Sequence, residues 1–276
     1  MPAGWIALAA IAVAGLAALT LLVRLLEPAL AFFPTSGEHE TPGDDGAPFR
    51  AETIVTSDGE RLRVWHLPHD APMARVVYFH GNGGNLSMWS PILADLWRHG
   101  FDVVAIDYRG YGVSSGRPTE AGLYRDVDAT IAFVRDHLPR ISAPLVYWGR
   151  SLGTTMAAYA ASREAPAGVV LEAGFPNVRS VLEINPVLWT LSWFSSYRFA
   201  TADWMAAVRC PALVLHGDRD SVIPYRLGQR LFASIGEPKT FVTISGGDHN
   251  DASPADPDIY WTSIRQFVES LRTSRP

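Results

Sequence analysis

Gly149-Arg150-Ser151-Leu152-Gly153 is the stretch of this sequence best suited to covalent chemistry. The apolar run Pro144-Leu145-Val146-Tyr147-Trp148 leads into it, and a helix-forming run from Thr154 to Ser162 leads away. A serine on a sharp strand-to-helix turn holds its hydroxyl clear of the backbone, and the flanking glycines admit the crowding such a turn creates. A helix that starts at the serine also aims free N–H groups and its positive end at a developing oxyanion. The competing role for Ser151 is that of a helix-capping serine. The same pattern recurs in Gly112-Val113-Ser114-Ser115-Gly116, but there it lies in a glycine-rich loop, past one strand and before the next helix. Ser114 and Ser115 therefore read as loop serines.

A serine hydroxyl is a weak nucleophile until a base takes its proton, so a histidine and an orienting carboxylate are expected downstream, in the order Ser, Asp, His. Two histidines follow Ser151. His216 ends the apolar run Ala212-Leu213-Val214-Leu215 and reads as support for an acid loop, whereas His249 sits in the polar loop Ser245–Asp251 and is the expected base. The acid lies in Gly217-Asp218-Arg219-Asp220-Ser221. Asp220, further into the loop, is the first choice and Asp218 the alternative. The loop Gly81-Asn82-Gly83-Gly84-Asn85 lets backbone approach substrate, so an oxyanion hole is expected from the N–H of Asn82, with Gly83 next, and that of Leu152. A phosphate-cradling loop would need a Gly-Lys-Ser/Thr ending, which is missing. Asp107-Tyr108-Arg109-Gly110-Tyr111-Gly112 reads as a brace for the oxyanion loop.

These groups must be held by a scaffold, and the remaining sequence describes one. Beyond Phe49, short apolar runs alternate with helix-length segments. Strands are expected at 52–56, 61–67, 76–79, 103–107, 145–148, 169–172, 212–216 and 240–244, and helices at 86–99, 119–137, 152–162, 225–235 and 256–271. Ser57-Asp58-Gly59 marks a hairpin between the first two strands. The order implies an α/β fold: a mainly parallel sheet with helices on both faces and an antiparallel hairpin at its start. Residues 176–206 break the alternation with an aromatic segment around Trp189, Trp193 and Phe194, which reads as a lid or as a cover for the sheet's core.

Composition limits the remaining possibilities. With 23 Lys+Arg against 28 Asp+Glu and a net charge of −5, the chain offers no basic stripe for nucleic acid. Its one cysteine, Cys210, excludes an internal disulfide framework and a CxxC metal site, and no cofactor is expected. Charged residues make up only 18% and mean hydropathy is +0.07, so apolar residues are concentrated somewhere. They lie at the start, where no charged side chain occurs from Pro2 to Val23. About 20 helical residues cross a hydrocarbon core of roughly 30 Å. Residues 1–26 are thus expected to be a transmembrane anchor, with a cleaved signal peptide or a buried helix as alternatives. Arg24 on the C-terminal flank points to a cytoplasmic body. The acidic, Gly- and Pro-rich stretch 35–47 marks residues 27–48 as a linker, leaving 49–276 as the catalytic body.

Taken together, the runs FHGNGGN, DYRGYGVSSG, GRSLGT, LHGDRDSVIP and GGDHND resemble the α/β-hydrolase superfamily, in particular its membrane-anchored serine hydrolases, relatives of protein depalmitoylases and monoacylglycerol lipases. The resemblance implies Ser151, Asp220 and His249 as a catalytic triad. Hydrolysis of an ester or thioester through an acyl-serine is expected, and the aromatic segment and the anchor point to an amphiphilic, lipid-like acyl substrate. An amidase or aminopeptidase using the same triad and a non-catalytic membrane-tethered scaffold are the alternatives.

Overall fold

The computed structural model describes residues 3–251 and 254–273, so the ends of the expected anchor (1–2) and body (274–276) lie outside it. Eight strands form one sheet: β1 (Arg50–Val55), β2 (Arg61–Leu67), β3 (Ala74–Phe79), β4 (Phe101–Ile106), β5 (Leu145–Arg150), β6 (Gly168–Glu172), β7 (Ala212–Gly217) and β8 (Lys239–Ile244). Their spatial order is β8-β7-β6-β5-β3-β4-β2-β1. From β3 to β8 every neighbouring pair is parallel, while β1 and β2 form the antiparallel hairpin and β2 joins β4 antiparallel. The expected mainly parallel α/β sheet is therefore the observed one.

Burial explains why the central strands are unbroken apolar runs. Along β3, Val77 and Phe79 enter one core cluster and Val76 and Tyr78 the other; along β4, Val104 and Ile106 divide from Val103 and Ala105 in the same way. Successive side chains point to opposite faces, so a strand covered on both sides must be apolar throughout. Helices α2 (Leu86–Arg98), α3 (Glu120–Asp136), α4 (Leu152–Arg163), α8 (Tyr225–Ser234) and α9 (Pro257–Thr273) supply the cover. Asn85 starts α2 by accepting from Met88 N, and Thr119 starts α3 by accepting from Gly122 N. Cys210 packs against the core, and burial pushes its thiol up to about 11.

The 176–206 segment folds into three short helices, α5 (Val178–Leu182), α6 (Pro186–Leu191) and α7 (Thr201–Ala207). The N-terminal helix α1 (Ala3–Ala31) is long and apolar enough to cross a membrane, by length and composition. It continues through Pro28, whose carbonyl accepts from Phe32 N. The stretch after it is irregular, as its composition implies, yet it is fastened to the body. Phe33–Pro34 pairs with Gly83–Gly84, Ser87 Oγ accepts from His39 and Glu40 N, and Asn85 Nδ2 donates to Gly37 O at 2.7 Å. Composition describes the stretch itself, whereas these partners lie about fifty positions away.

Candidate active site

The turn between β5 and α4 holds Ser151 at φ 54° and ψ −118°. A non-glycine residue at positive φ costs on the order of 1–3 kcal/mol and persists only where its surroundings enforce it. Here they do. A Cβ on Gly153 would lie 1.9 Å from Phe79 O, and one on Gly149 would lie 2.0 Å from Gly153 O. The turn closes only with glycine on both sides. Ser151 N donates to Glu172 O at 2.9 Å, tying the turn to β6. The hydroxyl makes no capping bond to α4. Gly153→Ala is expected to cost about 4 kcal/mol or more, measured as a lowered midpoint of thermal or urea unfolding, because backbone rather than a pliable side chain fills the space.

The hydroxyl instead faces His249, whose Nε2 lies 3.0 Å from Ser151 Oγ. His249 Nδ1 is 2.8 Å from Asp220 Oδ2. A proton on Nδ1, directed at the carboxylate, leaves Nε2 to accept from the serine. Asp220 is fixed by its other oxygen, which accepts from Val222 N at 2.9 Å and Ile223 N at 2.6 Å. Burial alone would raise its pKa, but hydrogen bonds from His216 and His249 outweigh that and hold the carboxyl well below the usual range. His216 is buried, with Nε2 2.9 Å from Ile223 O and 3.4 Å from Asp220 Oδ2. It props the acid loop, as its place at the strand end implied. Asp218 is exposed and accepts from Gly246 N at 2.7 Å. Asp248 joins the two loops, since its Oδ1 accepts from Ser221 N, Ser221 Oγ and His249 N at 2.7–2.8 Å.

Both oxyanion candidates flank the same space. Leu152 is the first residue of α4, so its amide has no intrahelical partner. Asn82 spends its side chain on the scaffold: Nδ2 donates to Ala31 O at 2.7 Å, and Tyr111 OH donates to Asn82 O and Oδ1 at 2.9 and 3.0 Å. Its contribution to an anion can only come from the main chain. The brace expected at 107–112 is present, with Tyr108 OH on His80 O and Asp107 Oδ1 on Leu86 N. In the second Gly-x-Ser-x-Gly stretch, Ser114 Oγ accepts from Arg63 N and donates to Asp107 O, and Ser115 Oγ accepts from Arg61 N. Both serines stitch loops together.

Arg150, inside the Gly-x-Ser-x-Gly motif, has a role that spacing did not reveal. Its Nη2 donates to the carbonyls of His249 at 2.8 Å and Asp251 at 3.1 Å, and the guanidinium lies 5.6 Å from the centre of the Trp89 ring. Burial works against its charge, but Glu172, 3.7 Å away, together with Tyr78, Tyr260 and Asp220 outweighs this and raises its pKa above the ordinary value. Glu172 is itself held by Trp148 Nε1 and Tyr260 OH. The only sign in the sequence is a charged side chain next to an apolar strand. Arg150→Ala should lower kcat by ~10²-fold, because releasing the loop lets the His249 imidazole drift from the Ser151 hydroxyl. Arg150→Lys should recover little of this, since one ammonium cannot bridge both carbonyls and stack on Trp89. Steady-state kinetics on a soluble ester checks both variants.

A cavity of about 1080 Å³ opens over Ser151 and His249, walled by α1, the 81–85 loop and the 176–206 segment. Its walls are largely apolar.

Comparisons with known proteins agree with this architecture. A family model described as alpha/beta hydrolase fold matches residues 74–185, which span β3 to α5 and include the Ser151 turn. An uncharacterized membrane protein of Saccharomyces cerevisiae is 31% identical over 236 residues, covering 83% of this chain and 82% of its own. A lysophosphatidylserine lipase of Danio rerio is 30% identical over 189 residues, covering 60% of this chain and 48% of its own. An esterase of Pyrococcus furiosus superimposes with a TM-score of 0.70 at 18% identity, covering 87% of this chain and 97% of its own, a likeness of fold. With that sheet order, that turn between β5 and α4, the family-model match and a yeast relative matched over 82% of its length, the chain belongs to the α/β-hydrolase superfamily.

Proposed function

We propose that the protein is a serine hydrolase that cleaves a carboxylic ester or thioester of an amphiphilic acyl substrate while anchored in a membrane. The observation that carries this reading is the hydrogen-bonded series Ser151–His249–Asp220, at 3.0 and 2.8 Å, opening into a largely apolar cavity. His249 takes the proton of Ser151 as Oγ attacks the carbonyl carbon. The Asn82 and Leu152 backbone N–H groups donate to the oxyanion. Collapse of the tetrahedral intermediate expels the alcohol or thiol, which leaves with the proton from His249, and an acyl-serine remains. Water, deprotonated by the same imidazole, attacks that ester, releases the acid and restores Ser151. Asp220 holds the imidazole tautomer and stabilises its charged form throughout.

The anchor reading is supported by the length and apolarity of α1 and by the membrane name of the yeast relative. The lipid reading is supported by the cavity and by the lipase among the relatives. A panel of p-nitrophenyl esters of increasing chain length, assayed with the full chain in detergent, tests both reaction and substrate. Turnover should rise from acetate to longer acyl groups. Hydrolysis confined to acetate would sink the amphiphilic substrate, and hydrolysis of none would sink the esterase.

A further inference from the structure

Resting on the esterase reading above, we propose that the C-terminal half of α1 is an acyl-chain binding site: the substrate's long alkyl chain lies along Leu19, Leu22, Leu26 and Leu30. These residues are spaced by three or four positions and form one stripe on the helix. All four line the cavity that contains Ser151 and His249. The stripe runs about 17 Å at 1.5 Å per residue, long enough for most of a long-chain fatty acyl group. Leu182, Leu188 and Leu191, in α5 and α6, line the same cavity.

The stripe is held in place relative to the nucleophile. Ala31 O, at the end of α1, accepts from Asn82 Nδ2 of the oxyanion loop. Glu27 accepts from both the backbone N and the hydroxyl of Ser196, so the buried carboxylate ties the helix to the aromatic segment. Just beyond, Phe32 packs edge-on against Tyr197 and Phe199. A helix that served only as a tether would need none of these contacts. Leu22, Leu26 and Leu30 nevertheless remain 53%, 46% and 69% exposed, so this wall presents apolar surface that is open to the side. An acyl chain supplies the missing apolar partner, and in a bilayer its open flank meets lipid rather than water. The ligand class is a long-chain acyl ester or thioester that reaches Ser151 with its chain alongside the anchor.

The test uses the full chain in detergent and compares Leu26→Trp, which fills the groove, with Leu25→Trp. Leu25 is 69% exposed and is not among the cavity-lining residues. Leu26→Trp should lower kcat/KM for p-nitrophenyl palmitate by roughly tenfold or more relative to that for p-nitrophenyl butyrate, while Leu25→Trp leaves the ratio at the wild-type value. An unchanged ratio in Leu26→Trp, or an equal change in both variants, overturns the proposal. Wild-type protein gives a second readout that does not depend on a variant folding. An alkyl fluorophosphonate carrying a diazirine at the far end of a long chain is attached to Ser151 and photolysed. The cross-link is expected within residues 19–30. Labelling of Ser151 with cross-links only elsewhere overturns the wall and leaves the esterase intact, whereas failure to label Ser151 overturns the esterase reading and this inference with it.

Discussion

Ser151→Ala is expected to lower kcat for ester hydrolysis by ~10⁶-fold while leaving the fold intact. The hydroxyl is the group aligned with His249 Nε2, and the elbow, the cavity and the backbone donors survive its loss. What persists is the part of catalysis that binding and oxyanion stabilisation provide without a nucleophile. Stability should change little. Ser151 Oγ makes no helix cap, and alanine meets the same φ of 54° that serine already tolerates. Ser114→Ala is the matched control. It removes an Oγ that bridges Arg63 N and Asp107 O, so about 1 kcal/mol of stability is at stake and turnover is retained. Initial rates and urea midpoints on the two variants separate these outcomes.

Asp220→Asn should cost ~10⁴-fold in kcat, although it exchanges groups of nearly equal size. Oδ1 already accepts from Val222 and Ile223 N, so the amide oxygen of asparagine takes that place and its NH₂ turns to His249 Nδ1. The imidazole must then accept at Nδ1 and carry its proton on Nε2, pointing at the serine it should deprotonate. Asp218→Asn should keep most activity, because that exposed carboxylate accepts from Gly246 N instead. Equal losses in the two variants, or the reverse order, would reassign the acid. The pKa of Asp220 also sets the sign of its pH dependence. Its native value is lowered from 3.8, so its stabilising contribution is complete above the ordinary carboxylate range and fades only as pH falls toward the depressed native value. Loss of activity at mildly acid pH therefore should not come from protonation of Asp220.

Much of this arrangement is legible in the sequence because strands and turns are local. β2 spans the expected 61–67, and α4 begins at Leu152 directly after the elbow serine. The two Gly-x-Ser-x-Gly stretches were separable by context alone, and each proves to sit in the surroundings its context implied. The contacts that local sequence does not encode join residues far apart in the chain. Glu27 meets Ser196, Arg150 meets His249, and Asn82 meets Ala31. Each polar side chain is unremarkable among its neighbours in sequence, and its partner is chosen by the closing of the sheet and the seating of α1. The fastening of 35–47 is of the same kind: composition predicts irregular backbone but not the carbonyls and hydroxyls that catch it.

The most direct measurement is intact-mass and peptide analysis of the full chain after treatment with a fluorophosphonate, in which an activated serine displaces fluoride from phosphorus. The account predicts one phosphonyl adduct, on Ser151, that is lost in Ser151→Ala and slowed in Asp220→Asn. A folded protein that remains unmodified, or one modified at another residue with Ser151 intact, would contradict it.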